Sequence, residues 1–335
     1  DDSGSMRWAY APDGICGDHQ TRRFKSSSFN PLYYNPGVRY DPPVKYNSST
    51  GQYTEYTTSF TAAKVNGFYD GHGTVDLSDS YRPTWSKNPA SSTQSESSGD
   101  PSCSSNTDKL RNDFARNPTP DFTDAQRFIG VQAYYYVYDT TLSGCDSTLT
   151  NDSCYRRVFV NDTSGPGNFD LNGDGVTDAA DKDERQNFAV WYSFYRTRTL
   201  MTATSATRAL VGVPQTARVG WHSLNSDNDC TGTTTTGTSN GRLFNSTCEG
   251  WDGTNYDKRL KVFDGAHRAN LLDWLARLPA TGGTPLREAT SRVGEYFRTN
   301  GVNSPYALNP TVSLGTEYSC RPNFHILMTD GIWND

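Results

Sequence analysis

Five oxygen-bearing side chains at the two ends of the chain have the types and the order of a site for one hard cation. The chain opens as Asp-Asp-Ser-Gly-Ser, Gly-Gly-Thr-Pro occupies residues 282–285, and Met-Thr-Asp-Gly lies near the other end. The candidate ligands are Asp1, Ser3, Ser5, Thr284 and Asp330. Small dications prefer oxygen ligands in octahedral geometry and keep several waters. We therefore predict a Mg²⁺ or Mn²⁺ site that leaves one coordination position for a partner's carboxylate, which makes it a cation-dependent handle for binding.

Asp-x-Ser-x-Ser alone does not define a metal site, because serines beside acidic residues most often serve turns and helix caps. The surroundings of the other two ligands favour the metal. Thr284 lies just before an amphipathic segment, and Asp330 follows the apolar run Phe-His-Ile-Leu-Met at residues 324–328. That run predicts a buried strand with Asp330 at its carboxyl end, where open α/β sheets bind their ligands.

The elements that would position these ligands include three predicted helices. Apolar residues at helical spacing predict one long helix over residues 186–211 and a second over residues 266–278. Pro285 suits the first position of a third helix. The buried face of this third helix would carry Leu286, Ala289, Val293 and Tyr296 or Phe297.

Strands are expected between these helices. Residues 218–224 predict a strand, and residues 260–263 are its possible hairpin partner, closed by Asp264-Gly265. Strand and helix therefore alternate along this part of the chain. Such alternation predicts an α/β fold in which helices cover both faces of a doubly wound sheet.

At the five oxygen residues the chain resembles a von Willebrand factor type A domain, whose metal-ion-dependent adhesion site uses this set in this order. The resemblance implies a Rossmann-like core formed by residues 1–8 and 186–335, with Asp1, Ser3, Ser5, Thr284 and Asp330 as the metal shell. A type A domain has an apolar strand before its first metal aspartate, which here is residue 1. We therefore expect that this first strand is missing and that the sequence is an excerpt of a longer chain at both ends.

Residues 9–185 differ in composition from this core and predict a large, irregular, β-rich insertion. Tyr, Ser, Thr, Asn, Gly and Pro dominate it, and short β-prone runs occur at residues 53–58, 128–138 and 157–160. Two polar stretches, residues 86–108 within the insertion and 231–240 beyond it, predict surface loops.

A second cation site is written into residues 170–181, Asp-Leu-Asn-Gly-Asp-Gly-Val-Thr-Asp-Ala-Ala-Asp. Oxygen side chains fall at loop positions 1, 3, 5, 9 and 12, and a glycine stands at position 6, as in a Ca²⁺ loop. The predicted ligands are the side chains of Asp170, Asn172, Asp174, Asp178 and Asp181 and the backbone carbonyl of Val176. The final Asp replaces the usual Glu, so the loop resembles the dockerin type of calcium loop. The alternative is an Asx-rich turn without metal, but four carboxylates this close would repel one another without a cation.

Seven cysteines without a Cys-x-x-Cys pair suit an oxidising compartment better than the cytosol. Closeness in sequence predicts disulfides between Cys145 and Cys154 and between Cys230 and Cys248. Cys16 with Cys103 would tie the insertion across its polar stretch. Cys320 would then be a free thiol or would pair outside the sequence. Spacing alone leaves the connectivity open.

Several phrases resemble the amino-terminal domain of the PilY-type proteins carried at the tips of bacterial type IV pili. These are Leu-Tyr-Tyr-Asn-Pro at residues 32–36, Tyr-Asp-Pro-Pro-Val at 40–44, Asn-Phe-Ala-Val-Trp-Tyr at 187–192 and Gly-Trp-His-Ser at 220–223. The resemblance covers essentially the whole sequence. It implies an extracellular protein at the pilus tip or bacterial cell surface, with roles in pilus biogenesis, cell adhesion and surface sensing. Minor pilins and a host-cell or surface ligand would be its partners, and a further domain would follow residue 335.

Other classes of function find less support in the sequence. The net charge is -6 and no basic run stands out, which argues against nucleic acid as a partner. No stretch is long and apolar enough to span a membrane. The five histidines have no metal-ligand spacing, and Ser3 and Ser5 lack the Gly-x-Ser-x-Gly elbow of serine hydrolases. We therefore expect a non-enzymatic adhesion module. The alternative is a hydrolase that uses the cation at Asp1 and Asp330 for catalysis.

Overall fold

The computed structural model describes the following part of the chain: residues 1–3, 6, 22–70, 73–81, 132–161, 184–225, 256–278, 283–298, 300, 304–307, 318 and 320–329. Contacts group the chain into two compact units. The helix-rich unit comprises Asp1–Met6, Pro43–Glu55 and Ala203–Asp335, and the tyrosine-rich unit comprises Arg7–Pro42 and Tyr56–Thr202.

Short strands, four α-helices and two 3₁₀ turns, Arg23–Lys25 and Asp152–Cys154, make up the regular structure of the described residues. The strands are β1 (Val44–Asn47), β2 (Gln52–Glu55), β3 (Ala63–Lys64), β4 (Thr74–Val75), β5 (Tyr134–Tyr138), β6 (Tyr155–Phe159), β7 (Arg218–Val219) and β8 (Lys261–Val262). The helices are α1 (Arg185–Phe194), α2 (Arg198–Val211), α3 (Gly265–Ala276) and α4 (Leu286–Phe297). Consecutive strands pair as four antiparallel two-stranded sheets. Among the described helices, none combines the length and the apolar character needed to cross a lipid bilayer.

The tyrosine-rich unit has an aromatic core built around α1. Every residue of this helix from Asn187 to Phe194 is buried. The rings of Phe188 and Trp191 pack against Tyr34, with centroids 4.7 and 5.8 Å away. The β5–β6 pair contributes buried tyrosines, in the register Tyr134↔Phe159 to Tyr138↔Tyr155. This pair confirms strands in the described parts of two of the predicted β-prone runs.

Several buried hydroxyl groups of this core are paired with polar partners. The Tyr34 hydroxyl donates to Glu184 Oε1 at 3.0 Å and accepts from Asn187 Nδ2 at 3.1 Å. Burial and the nearby Glu184 carboxylate raise the pKa of Tyr34 well above its usual value. Tyr33 and Tyr81 share a hydrogen bond of 2.7 Å between their hydroxyls. Because these phenols have partners, the core tolerates many oxygen atoms.

The prediction of one continuous helix over residues 186–211 is wrong, because α1 ends at Phe194 and α2 begins at Arg198. The buried side chain of Arg196 lies at the break. Its guanidinium donates to the Tyr192 carbonyl at 2.5 Å and to the Val65 carbonyl at 2.6 Å. The Tyr192 carbonyl is thereby engaged by a side chain at the point where the helix would continue.

In the helix-rich unit the predicted strand pair is confirmed, with Arg218 opposite Val262 and Val219 opposite Lys261. The sequence predicted that Asp264 closes a hairpin, but in the structure it does not. Its carboxylate caps α3 and accepts a hydrogen bond from the His267 N–H at 2.9 Å. An aspartate preceding an apolar helix satisfies one of the free N–H groups of its first turn.

Helices α3 and α4 bury the faces that the sequence predicted. In α3 and directly after it, Leu271, Leu272, Leu275 and Leu278 are all buried. In α4 the buried side chains include Leu286, Ala289, Val293 and Tyr296. Leu271, Leu275 and Leu278 pack with Trp221, Tyr256, Phe263 and Trp274 in one apolar cluster. Period-3.6 spacing therefore identified both contact faces correctly.

The β1–β2 hairpin belongs to the helix-rich unit, although the sequence assigned it to the insertion of residues 9–185. Arg268 of α3 holds it. The Arg268 guanidinium donates to the Tyr53 hydroxyl and to the carbonyls of Leu210 and Val213, and it lies 5.8 Å from the Tyr46 ring centroid. A planar guanidinium can bind several acceptors and an aromatic face at the same time.

The von Willebrand-type sheet stays a prediction, because the described residues contain antiparallel pairs only. Residues 321–329 form no strand, and Phe324 and Ile326 are 86% and 82% exposed. A strand forms only when its backbone groups pair with a neighbour. No other described segment pairs with this one, so the predicted burial of residues 324–328 is not found.

Candidate metal centre

Asp1 accepts hydrogen bonds from residues near both ends of the chain. Its Oδ1 accepts the backbone N–H of Ser3 at 2.8 Å, and its Oδ2 accepts the hydroxyl of Thr329 at 2.8 Å. Thr329 immediately precedes the predicted ligand Asp330. Positions 1 and 329 are therefore neighbours in space, as a cation site shared by both ends requires.

Asn225 connects the opening residues to the turn that carries Thr284. The Asp2 Oδ1 accepts both the backbone N–H of Asn225 at 3.0 Å and its Nδ2 at 3.2 Å. The same Nδ2 donates to the Gly283 carbonyl at 2.5 Å. Asp2 is 3% exposed, so its carboxylate is held by these donors and not by bulk water. One side chain thus joins two segments that carry predicted ligands.

Thr284 is positioned by the start of α4. It is 8% exposed, and its carbonyl accepts the N–H of Leu286 at 2.8 Å. The helix is fixed in turn by Arg292, whose Nη2 donates to the Leu224 carbonyl at 2.7 Å. Leu224, Leu286 and Ala289 pack together in a small apolar cluster. The threonine hydroxyl is therefore carried by a turn that packing and hydrogen bonds restrain.

Two histidines lie beside the segments that lead to this site. The His222 and His325 rings stack at 25° with centroids 6.1 Å apart, and His222 Nδ1 donates to the Ser223 carbonyl at 3.0 Å. Burial, together with the positive charges of Arg292 and Lys258, lowers the pKa of His222 to about 3. His222 is therefore neutral near pH 7 and adds no positive charge to this region.

The donor chemistry of the described ligands suits a hard cation. Asp1 offers a carboxylate, while Ser3 and Thr284 offer hydroxyls on buried residues. These are oxygen donors of the kind that Mg²⁺ and Mn²⁺ prefer. No group of three or more His, Cys, Asp or Glu side chains suited to a metal occurs among the described residues. Of the described candidate ligands, Asp1 is the carboxylate, and Ser3 and Thr284 are hydroxyl donors.

The remaining predicted ligands lie outside the described residues. Ser5 and Asp330 of the first site belong to this group. So do all the residues predicted for the calcium loop, Asp170, Asn172, Asp174, Val176, Asp178 and Asp181.

Cysteine pairing is described for one candidate pair. Cys145 and Cys154 form a disulfide with Cα atoms 5.7 Å apart. Cys320 has an exposed free thiol. The other cysteines, Cys16, Cys103, Cys230 and Cys248, lie outside the described residues.

Asp2, Asn225 and Thr329 are part of the site's framework, but the sequence did not indicate them. The Asp-x-Ser-x-Ser pattern assigns roles to Asp1, Ser3 and Ser5 and none to the residue at position 2. Asn225 is almost 60 residues from Gly283 in sequence, so only the folded chain brings them together. The closest signal was the Gly-Trp-His-Ser phrase at residues 220–223, which ends two positions before Asn225.

Comparison with known proteins finds similarity along the whole chain. The chain is 38% identical over 338 residues to the type IV pilus biogenesis factor PilY1 of Pseudomonas aeruginosa strain PAK, an alignment that covers 100% of this chain and 23% of that protein. The PilY1 proteins of strains PAO1 and UCBPP-PA14 are 37% and 33% identical, again over 100% of this chain and over 23% and 22% of theirs. These similarities support a PilY-type domain.

The chain spans less than a quarter of the length of these curated relatives. No protein-family model matches the chain. No solved structure matches it either.

Proposed function

We propose that this chain is a domain of a type IV pilus biogenesis factor that acts at the bacterial cell surface and attaches to its ligand through a bound cation. Its similarity to PilY1 proteins supports the role in pilus biogenesis. The hydrogen bond between Asp1 and Thr329 supports the cation site, because it brings the two ends of the chain together. Minor pilins are its proposed partners in assembly.

The proposed adhesion site has a von Willebrand type A arrangement. Asp1, Ser3 and Thr284, completed by Ser5 and Asp330, would hold Mg²⁺ or Mn²⁺. When bound, the cation would supply a coordination position for the carboxylate of a host-cell or surface ligand. The protein's own contribution is to hold the donors in position, which the bonds from Asn225 and the start of α4 support.

Site-specific paramagnetic broadening would test the cation site. We expect Mn²⁺ to broaden the amide signals of residues 2, 284 and 329 at low occupancy, and Asp1→Asn to abolish this broadening. Asp76→Asn is a matched control, since the Asp76 carboxylate only caps its own turn by accepting from the N–H and the hydroxyl of Ser78. Equal broadening in the wild type and both variants would refute a cation site at this position.

We also propose a structural Ca²⁺ in the loop of residues 170–181. The loop ends three residues before Glu184, which is buried and bonded to Tyr34 in the aromatic core. Calcium would therefore order the chain directly before α1. Terbium luminescence would test this, because aromatic side chains near a bound Tb³⁺ sensitise its emission. We expect Asp174→Ala to eliminate the signal, and a signal unchanged by this substitution would count against the loop.

A cellular test separates assembly from adhesion. A strain lacking the gene would be complemented with the wild-type protein or with Thr284→Val, which replaces one ligand hydroxyl by a methyl group of similar size. We expect surface pili in both strains and reduced attachment with Thr284→Val alone. Wild-type attachment by that strain would refute cation-dependent adhesion. Absence of pili in the unmodified deletion strain would support the biogenesis role independently.

A further inference from the structure

Arg218 of β7 is a partly buried cation whose contacts are carbonyl groups. Its Nη1 donates to the Pro305 carbonyl at 3.1 Å and its Nη2 to the Leu260 carbonyl at 2.5 Å. Its Nε is enclosed and has no acceptor among the described residues. Desolvation and the charge of Arg321 lower the pKa of Arg218. The structure therefore holds this guanidinium in a position that is unfavourable for its charge.

Arg321 supplies the second positive charge at this place. Its Nη1 donates to the Ala307 carbonyl at 3.3 Å, and its guanidinium lies over the Tyr318 ring, 4.4 Å from the centroid. Tyr318 is 43% exposed, so this ring supports Arg321 at the protein surface. Carbonyl and ring together hold the guanidinium plane without neutralising it.

Neither guanidinium forms an ion pair with a carboxylate in the described part of the chain. Asp257 is a nearby carboxylate, since its charge and that of Arg218 both act on Tyr296. It is already bound by Arg259 Nε at 2.8 Å and by Lys261 Nζ at 2.9 Å. Arg218 binds the carbonyl of Pro305 and Arg321 that of Ala307, two residues further along the same turn. Two cations held near each other without an anion are electrostatically costly. The arrangement is more notable because the chain as a whole has a net charge of -6.

We propose that Arg218 and Arg321 form a binding site for a carboxylate group. A guanidinium presents five N–H donors in a planar fork, and the contacts with carbonyls use only some of them. The remaining donors match the two oxygens of a carboxylate. A bound carboxylate also neutralises the repulsion between the two arginines, which gives the site a reason to prefer an anion over water. The carboxylate comes either from a small free acid or from an acidic side chain of a partner protein.

The site differs from the candidate metal centre in the sign of its charge and in its residues. The cation would recruit a carboxylate through metal coordination, whereas the arginine pair recruits one directly. Binding at the arginine pair therefore persists in EDTA. This difference allows the failure of one proposal to be distinguished from the failure of the other.

Titration of ¹⁵N-labelled protein in EDTA tests the site through the side-chain Nε–Hε signals of arginine. The probes are sodium acetate and a capped Gly-Glu-Gly peptide, with sodium chloride at the same ionic strength as reference. We expect both carboxylate probes to shift the signals of Arg218 and Arg321. Arg321→Gln should weaken binding about tenfold or more, because it removes a charge-assisted contact. Arg277→Gln should leave the affinity unchanged, since Arg277 is already paired with Asp273 at 3.0 Å.

The outcomes separate the sources of the ligand. A peptide that binds at least tenfold more tightly than acetate supports a protein partner, and equal affinities support a small free acid. Chloride giving the same shifts would overturn the proposal. It would be overturned equally if Arg321→Gln, with an unchanged thermal transition, bound acetate as the wild type does. A response to inorganic phosphate without a response to acetate would rule out the carboxylate.

Discussion

Replacing His222 by Asn should make the helix-rich unit less sensitive to acid. His222 is held neutral, since burial and the charges of Arg292 and Lys258 lower its pKa to about 3. In the unfolded chain its pKa returns to about 6.5. Asn keeps an N–H donor near the position of Nδ1, which bonds the Ser223 carbonyl in the folded chain. The substitution therefore removes the titrating group and keeps the local hydrogen bond.

The sign and size of the effect follow from proton linkage. As pH falls below about 6.5, the unfolded chain takes up a proton that folded His222 does not, so unfolding becomes easier. The contribution of neutral His222 is fully present above about pH 6.5 and is lost progressively down to about pH 3. With these two pKa values, the wild type should lose about 2 kcal/mol between about pH 7.5 and about pH 5 from this group alone.

Urea unfolding at several pH values would measure this difference. We expect the free energy of unfolding of His222→Asn to fall about 2 kcal/mol less than that of the wild type over the same interval. His325→Asn serves as the control, because His325 is exposed and stacks on the same ring. That variant should keep most of the acid sensitivity. Parallel pH profiles for the wild type and His222→Asn would refute the assignment of a partly buried, neutral imidazole.

Further substitutions test the packing of each unit. Arg268→Lys should cost about 2–4 kcal/mol, because buried carbonyl acceptors lose their donors, and hydrogen exchange should then speed up in the β1–β2 hairpin. Gly67→Ala should destabilise by at least about 2 kcal/mol in urea unfolding, since a Cβ there would lie 2.0 Å from the ring of Phe194. Gly294→Ala, in open space on α4, should stabilise by up to about 1 kcal/mol in the same assay. Cys154→Ser should lower stability by about 2–3 kcal/mol, which calorimetry with and without reductant would check, because it opens a loop with a sequence separation of 9.

Local signals predicted much of the regular structure in the helix-rich unit. The apolar spacing in α3 and α4 identified their buried faces because 3.6-residue periodicity is a property of the sequence. The β7–β8 pair was also predicted, since both of its strands lie within β-prone runs of the sequence. Asp264 was misassigned because Asp-Gly serves equally as a hairpin turn and as the start of a helix. For Asp264 the local signal was real, and only the choice between a hairpin turn and a helix start depended on the fold.

The misassigned boundaries depended on contacts between distant residues. At the break after Phe194, Arg196 binds the carbonyl of Val65, which is 131 positions away in sequence. The hairpin of residues 44–55 joins the helix-rich unit through Arg268, 215 positions from Tyr53. A buried arginine binds whichever carbonyls the fold provides, so its role cannot be deduced from neighbouring residues. Composition assigned the hairpin to the insertion because it shares the Tyr- and Thr-rich character of that region.

In the candidate metal centre, too, the sequence predicts the types of the ligands, whereas contacts between distant residues form the framework that holds them. Ligand types follow from the chemistry of a hard cation, so Asp1, Ser3 and Thr284 are predicted as ligands by their kind and order alone. The framework depends on Asn225, whose amide binds Asp2 and the carbonyl of Gly283 at the same time. A cation site needs donors held at fixed separations, and a single bridging amide restrains two backbone segments at once. The binding strength of the proposed site should therefore depend on Asn225 as well as on the ligands themselves, although Asn225 is not predicted to touch the cation.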